Sequence, residues 1–497
     1  MLLTKSNYLL GLQCPKLLWV TKNDKKRIPE PNEVTLKKFK DGILLGELAT
    51  KVFPKGKEIP TKDFKETIKQ TELLLLEKVP LFEASFLVDN LYLRADILYP
   101  VGDSSKDDSG EPKWDIIEVK SATKVKDINI YDVSFQKYVC EKAGLKIRKC
   151  FLMHINNQYV KSGEIEPKEL FVQTDITDLV ETYSKEIKDR IENMLDIINS
   201  KKEPECSIGV HCSAPYDCPL KEECWKDVPD GSVFDFYRML KKKAFGLYDD
   251  GIVKIEDVPD SVKLNDKQKI QKLLALAPKN KVHKDKKQIK FFLENLNYPI
   301  YYLDFETINP AIPKFEGMRP YQRIPFQFSL HIQEKEGGEL KHISFLAEGI
   351  NDSRPKFMQA LKDNLGDKGD ILVYNQSFEK GVMNEGAIAF PEFREWYDKN
   401  ILLRVKDLWD VFRNFWYYNS EQKGSASIKY VLPVLSKLKY SDLEIKKGDV
   451  ASYEWERITF LENVSDEEKL RVRKALEKYC GLDTMAEVEI IRGLGEV

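Results

Sequence analysis

No apolar run in this chain approaches the roughly 20 residues that a membrane-crossing helix needs. The opening M-L-L-T-K-S-N-Y-L-L also lacks the basic-then-apolar order of a secretory signal. These absences argue against a helical membrane protein and point to the cytoplasm. An excess of one charge is missing as well: 79 Lys and Arg stand against 81 Asp and Glu, a formal net charge of -2. A uniformly basic nucleic-acid coat is thereby excluded, so any nucleic-acid site has to be a local patch. Residues 1–60 offer one, with twelve Lys or Arg against six Asp or Glu, although a solvated lysine-rich surface gives the same count.

What the chain does have is length and cysteine. At 497 residues it is too long for a single core, and two or three domains are expected. Eight cysteines in a chain expected to be cytosolic suggest metal binding or catalysis before disulfides. Cys206, Cys212, Cys218 and Cys224 recur every six residues in C-S-I-G-V-H-C-S-A-P-Y-D-C-P-L-K-E-E-C-W, whereas Cys14 stands far away in Q-C-P-K-L-L-W. Four cysteines within nineteen residues are a poor match to chance, so a metal or cluster site is expected there.

Taken in order, residues 6–19 read as a helix carrying Cys14, and residues 36–52 as a helix containing Gly46 and Glu47. Residues 86–99 form two strands about a turn at Asp89-Asn90, and the polar residues 102–113 read as a flexible loop. W-D-I-I-E-V-K, ending at Lys120, is a strand whose period of two sets Glu118 and Lys120 on one face. A helix over residues 131–143 with Gln136 in its middle completes a strand, strand, helix order for Asp96, Glu118, Lys120 and Gln136.

That pattern resembles the RecB-like branch of the PD-(D/E)XK nucleases, and specifically its members in which one N-terminal and three C-terminal cysteines enclose the nuclease core and hold a 4Fe–4S cluster. The resemblance covers residues 1–228 and implies a restriction-endonuclease-like α/β domain. It implies Cys14, Cys212, Cys218 and Cys224 as cluster ligands, with Cys206 a bystander. Asp96 and Glu118 would bind Mg²⁺ or Mn²⁺, Lys120 would offset charge growing on the phosphoryl oxygens, and Gln136 would position water or the strand. The His often found on the first helix of that family is absent; Gly46 stands there, and Glu47 is the nearest candidate for the outermost ligand. A zinc site built by residues 206–224 alone is the competing reading. Zinc sites usually space paired cysteines by about two to four residues, whereas these gaps are five, and iron–sulfur ligands tolerate wider spacing.

Residues 229–295 read as a helical connector, with helices over 234–247 and 266–276 and a basic run over 281–290. After it comes P-I-Y-Y-L-D-F-E-T, a buried strand whose alternation turns Asp304 and Glu306 to the same side. Two adjacent carboxylates repel unless a cation sits between them, which is the logic of a hard divalent-metal site; an acidic, solvated strand end is the bland reading. Residues 325–332 and 340–346 flank Gly337-Gly338 as a hairpin, and a helix, the strand 371–374 and a second helix follow. Ser465 and Glu468 form a capping box opening a helix that reaches Tyr479, four residues before Asp483.

D-F-E-T, N-Q-S-F-E and Y-C-G-L-D together resemble the DnaQ-like exonucleases of the DEDDy type, over residues 296–497. The resemblance implies a ribonuclease-H-like fold, two divalent ions held by Asp304, Glu306, Glu379 and Asp483, and Tyr479 orienting the attacking water. Glu379 stands where that family usually has Asp, and Asp407 is a reserve ligand. The expectation is an α/β, two-headed, metal-dependent nuclease that acts on DNA, single-stranded or with free ends, in repair, recombination or defence alongside a helicase or similar partner. A nucleic-acid-binding scaffold with degenerate sites, or an RNA-processing exonuclease, is the alternative.

Overall fold

The computed structural model describes residues 1–60, 63–102, 112–277, 282–461 and 463–497. Most of the loop expected over 102–113, and Lys281 of the basic run, lie outside these residues. The fold is mixed α/β and divides into two compact units, the first made of Met1–Lys226 with Ala311–Tyr321 and the second of Asp227–Pro310 with Gln322–Val497.

The first unit is built on a seven-stranded sheet ordered Lys57–Glu58, Leu81–Val88, Leu91–Pro100, Lys113–Lys120, Lys146–Ile155, Phe171–Asp175, with Leu3–Thr4 pairing alongside Leu91–Pro100. Its centre is a βαβ unit: strand Lys113–Lys120, helix Asp127–Lys142 and the parallel strand Lys146–Ile155. Trp114 and Ile116 pack against Ile130, Val133 and Phe135 of that helix, while Ile117 faces a separate cluster with Met153 and Ile155. The same alternation carries Glu118 and Lys120 on under the helix, which is how a strand end comes to present both to one site.

The helix expected over residues 6–19 is two helices, Lys5–Gln13 and Pro15–Asn23, broken at Cys14. Pro15 disfavours helical backbone at the residue before it and suits a first helical position, so Cys14 is extended (φ -160°, ψ 124°) and its Sγ accepts from Leu17 N–H at 3.5 Å.

The second unit carries a five-stranded sheet ordered Leu340–Leu346, Ile324–Gln333, Ile300–Ile308, Asp370–Val373, Val405–Asp407. The first three strands are antiparallel, and the last two run parallel to Ile300–Ile308. On Ile300–Ile308, Tyr301, Leu303 and Phe305 enter one core; Ile300 and Tyr302 enter another, which is closed by Ala486, Val488, Ile490 and Leu494 of the last helix. Asp304 and Glu306 continue the Ile300–Tyr302 face towards that helix. The helix runs Asp466–Gly495, well past Tyr479, with Ser465 Oγ accepting from Glu468 N–H at 3.2 Å and three acidic residues in its first turn, where the helix dipole favours them.

Between residues 229 and 295 the helix expected over 234–247 is instead a 3-10 turn, Val233–Asp235, and a helix, Lys241–Asp249; Arg238 between them is left-handed at φ 49° and cannot continue a helix. Asp266–Ala275 is helical, and Val282–Lys284 pairs with Tyr417–Asn419 before the helix Lys286–Glu294.

Candidate metal centres and active sites

In the first unit the sheet register that sets Ile97 opposite Ile117 puts Asp96 opposite Glu118. Asp96 accepts from Val119 N–H at 2.9 Å, which aims it along the strand end. Glu118, 1% exposed, takes Lys120 Nζ at 2.5 Å and Gln136 Nε2 at 2.6 Å. The structure therefore brings together Asp96, Glu118, Lys120 and Gln136. Glu47 sits on the exposed face of helix Glu33–Thr50 and takes no part in this network.

Two residues that no motif singled out join it. Lys5 Nζ lies 3.1 Å from both Glu118 oxygens and 3.4 Å from Asp96 Oδ1. Asp132 accepts from Lys120 at 2.8 Å and from Gln136 at 3.0 Å. Asp132 was findable, being one helical turn before Gln136; Lys5 reaches the site from the far end of the domain and has no sequence signal. Burial and the neighbouring Glu118 raise the Asp96 carboxyl above its ordinary value. Burial pushes Glu118 the same way, but Lys120, Lys5 and Gln136 outweigh it and hold this carboxyl well below the usual range. Hard oxygen donors facing one another fit a divalent cation, and Lys5 now supplies the positive charge between them.

The cysteines converge differently from the quartet the resemblance implies. The ligand atoms of Cys14, Cys206 and His211 lie within 4.8 Å of one another. Cys206 Sγ is 3.6 Å from both Cys14 Sγ and His211 Nε2, which brings Cys206 into the group beside Cys14. Cys212, Cys218 and Cys224 line the same cavity. Burial, and then the neighbouring Cys14 thiol, push the Cys206 thiol up to about 12; Cys218 rises to about 11, also from burial. Neutral thiols of this kind have little reason to gather unless something binds them as thiolates. Cys14 belongs to the cavity, which residues 206–224 alone do not supply. His211 is visible in the motif as V-H-C, next to Cys212.

In the second unit Asp304, Glu306 and Asp483 offer carboxylate oxygens within 4.8 Å of one another. Burial raises all three carboxyls above their ordinary values, and their mutual repulsion raises Asp304 and Glu306 further. Lys429 is the cation that bears on all three. It donates to Lys446 O at 2.8 Å and to Tyr479 OH at 3.4 Å, and lies 5.4 Å from the Tyr440 and Tyr479 ring centroids. Tyr440 OH donates to Asp483 Oδ1 at 2.6 Å. Clustered, mutually repelling oxygen donors, two of the three buried, fit a divalent cation.

Glu379, in the first turn of helix Gln376–Ala389, is 2% exposed, and Asp304 is the foremost charge acting on it. Asp407 is taken up structurally: it accepts from Asn375 N–H at 3.0 Å and Trp409 N–H at 3.1 Å, pinning the left-handed Asn375 (φ 94°) that starts that helix. The start of helix Gly448–Phe460 also abuts the site, since a Cβ on Gly448 would lie 3.5 Å from Glu306 Oε2 and 4.0 Å from Tyr479 OH.

Residues 301–427 match a family model described as "Domain of unknown function (DUF2779)". The match takes in Asp304, Glu306 and Glu379 and stops before Lys429, Tyr479 and Asp483. The "Uncharacterized protein MG366 homolog" of Mycoplasma pneumoniae is 28% identical over 256 residues. That stretch covers 45% of this chain and 38% of the relative's own length. No helix among the described residues is long and apolar enough to cross a membrane.

Proposed function

We propose that the protein is a metal-dependent nuclease with two active sites, acting on DNA that is single-stranded or has free ends. The observation that carries the reading is the trio of half-buried Asp304 with buried Glu306 and Asp483, with Tyr479 one helical turn from Asp483 and Lys429 beside it. Three antiparallel strands continued by two parallel ones support a ribonuclease-H-like second unit. Asp96, Glu118, Lys120 and Gln136 meeting across two strands and a helix support a restriction-endonuclease-like first unit.

Mg²⁺ or Mn²⁺, held by Asp304, Glu306 and Asp483 in one site and by Asp96 and Glu118 in the other, supplies Lewis-acid chemistry at the scissile phosphate. The remaining work falls to the chain. Tyr479 OH orients the attacking water, and Lys429, already bonded to that hydroxyl, offsets the negative charge of the incoming strand. The start of helix Gly448–Phe460 abuts the same site, and the positive end of its dipole would favour that charge. In the first unit Lys120 faces the phosphoryl oxygens, and Asp132 and Gln136 hold it and Glu118 in place. Cys14 with the cysteines of residues 206–224 would hold a 4Fe–4S cluster, which would tie the first helices to that segment.

The DNA-holding scaffold remains the second reading for the first unit, because Lys5 already stands between Asp96 and Glu118 as a bound cation would. Digestion of end-labelled single-stranded and duplex DNA and RNA with Mg²⁺ or Mn²⁺ tests both. Trimming of DNA is expected; intact DNA with shortened RNA moves the substrate class, and no cleavage of either rejects the enzyme.

A further inference from the structure

We infer that Glu487 is a cation ligand of the second unit, holding a second divalent ion together with Glu379 and Asp304, beside the ion held by Asp304, Glu306 and Asp483. The inference rests on the cation-site reading above and adds a residue to it. Tyr479, Asp483 and Glu487 follow one another at four-residue intervals on helix Asp466–Gly495, so they stack along one face. Glu487 is 1% exposed, and its Oε2 has no hydrogen-bond partner. Glu379, arriving on a different helix, is 2% exposed and leaves its own Oε2 without a partner. The carboxylates that bear most on Glu487 are, in order, those of Asp304, Glu379, Asp483 and Asp407.

These observations select a cation over the other uses of a buried glutamate. Glu487 has Ala486 and Val488 on either side in a packed core, where an apolar residue would serve packing without leaving an oxygen unpaired. Asp407 is spent on backbone amides, which leaves Glu379 and Glu487, each with an unpartnered oxygen, as the donors beside Asp304 on that side. Glu379 and Glu487 each have one methylene more than Asp, a reach that suits an ion displaced from the trio and bridged to it through Asp304. Oxygen donors of this type take Mg²⁺ or Mn²⁺ rather than a soft metal.

The test counts Mn²⁺ bound to the metal-free full-length protein, by calorimetric titration and by the Mn²⁺ paramagnetic resonance signal. Asp304→Asn should lose two equivalents and Glu487→Gln one, with Glu487→Asp recovering part of the affinity. If Asp304→Asn binds as many ions as the wild type, the cation reading of the whole site fails. If Asp304→Asn loses ions while Glu487→Gln loses none, or both, only the role of Glu487 is overturned. The wild type provides a check that needs no variant: an Asp304-bridged pair adds a spin-coupled spectrum to the single-ion signal of the first unit, and the absence of any coupled spectrum at full loading would overturn the inference.

Discussion

On the nuclease proposed above, Lys120 is the side chain on which the first site would depend most directly, because its ammonium meets both Glu118 and Asp132 and would face the developing phosphoryl charge. Lys120→Ala should lower cleavage by that site about 10²-fold or more, read as loss of its products while the other site's trimming continues. Asp304→Ala should do the reverse by removing a ligand of the second site. Folding of both has to be measured by melting, since removing a repelled carboxylate stabilises a dead enzyme. Cys14→Ala tests the cysteine cavity: the anaerobically purified wild type should be brown with about four irons, and the variant bleached and less stable. A colourless protein with one zinc that tolerates Cys14→Ala would reject the cluster.

At the scale of elements, the hairpin of Ile324–Gln333 and Leu340–Leu346 sets His331 opposite His342, with their rings stacked at 4.3 Å. Burial, and then His342, hold His331 down to about 4, from an ordinary value of 6.5. Above pH 6.5 both folded and unfolded chains carry a neutral ring. Between 6.5 and about 4 the unfolded chain takes up a proton that the folded one refuses, so stability falls as pH drops through that window. Urea midpoints at about pH 7.5 and pH 4.5 should therefore diverge more in the wild type than in His331→Gln; equal divergence in both would refute it.

This hairpin, the D-F-E strand and the strand ending at Lys120 are legible because period-two alternation and turn glycines are local signals. Asp304 and Glu306 were legible for the same reason. The break at Cys14 is signalled by Pro15 alone, since apolar spacing on either side mimics one helix. Lys5, Tyr440 and Lys429 were not legible, because each reaches its site through a long-range contact that no spacing encodes. Glu487 lay in the open, one turn beyond Asp483, but a glutamate on a charged helix carries no mark of being buried.

For the molecule as a whole, each site draws its ligands from its own unit, so the two activities should be separable. Lys120→Ala and Asp304→Ala should each leave one mode of digestion, and only the double variant should be inert on end-labelled DNA. Loss of all cleavage in Lys120→Ala with none in Asp304→Ala would reduce the second unit to a holding module.

Separable activities do not mean separable polypeptides. Ala311–Tyr321 belongs to the first unit although it is threaded between the two strands that carry and flank Asp304. Ala311, Ile312 and Tyr321 join the apolar cluster of Ile117 and Met153, Tyr321 OH donates to Ser121 O next to Lys120, and Gly317 and Met318 exchange backbone bonds with Lys161. The backbone therefore passes between the units three times, and no single proteolytic nick or stop codon yields both halves intact. A fragment ending at Lys226 would be born with an open seam where those eleven residues belong. Its exposed seam should make it sticky, and adding the missing segment as a separate peptide should restore its solubility.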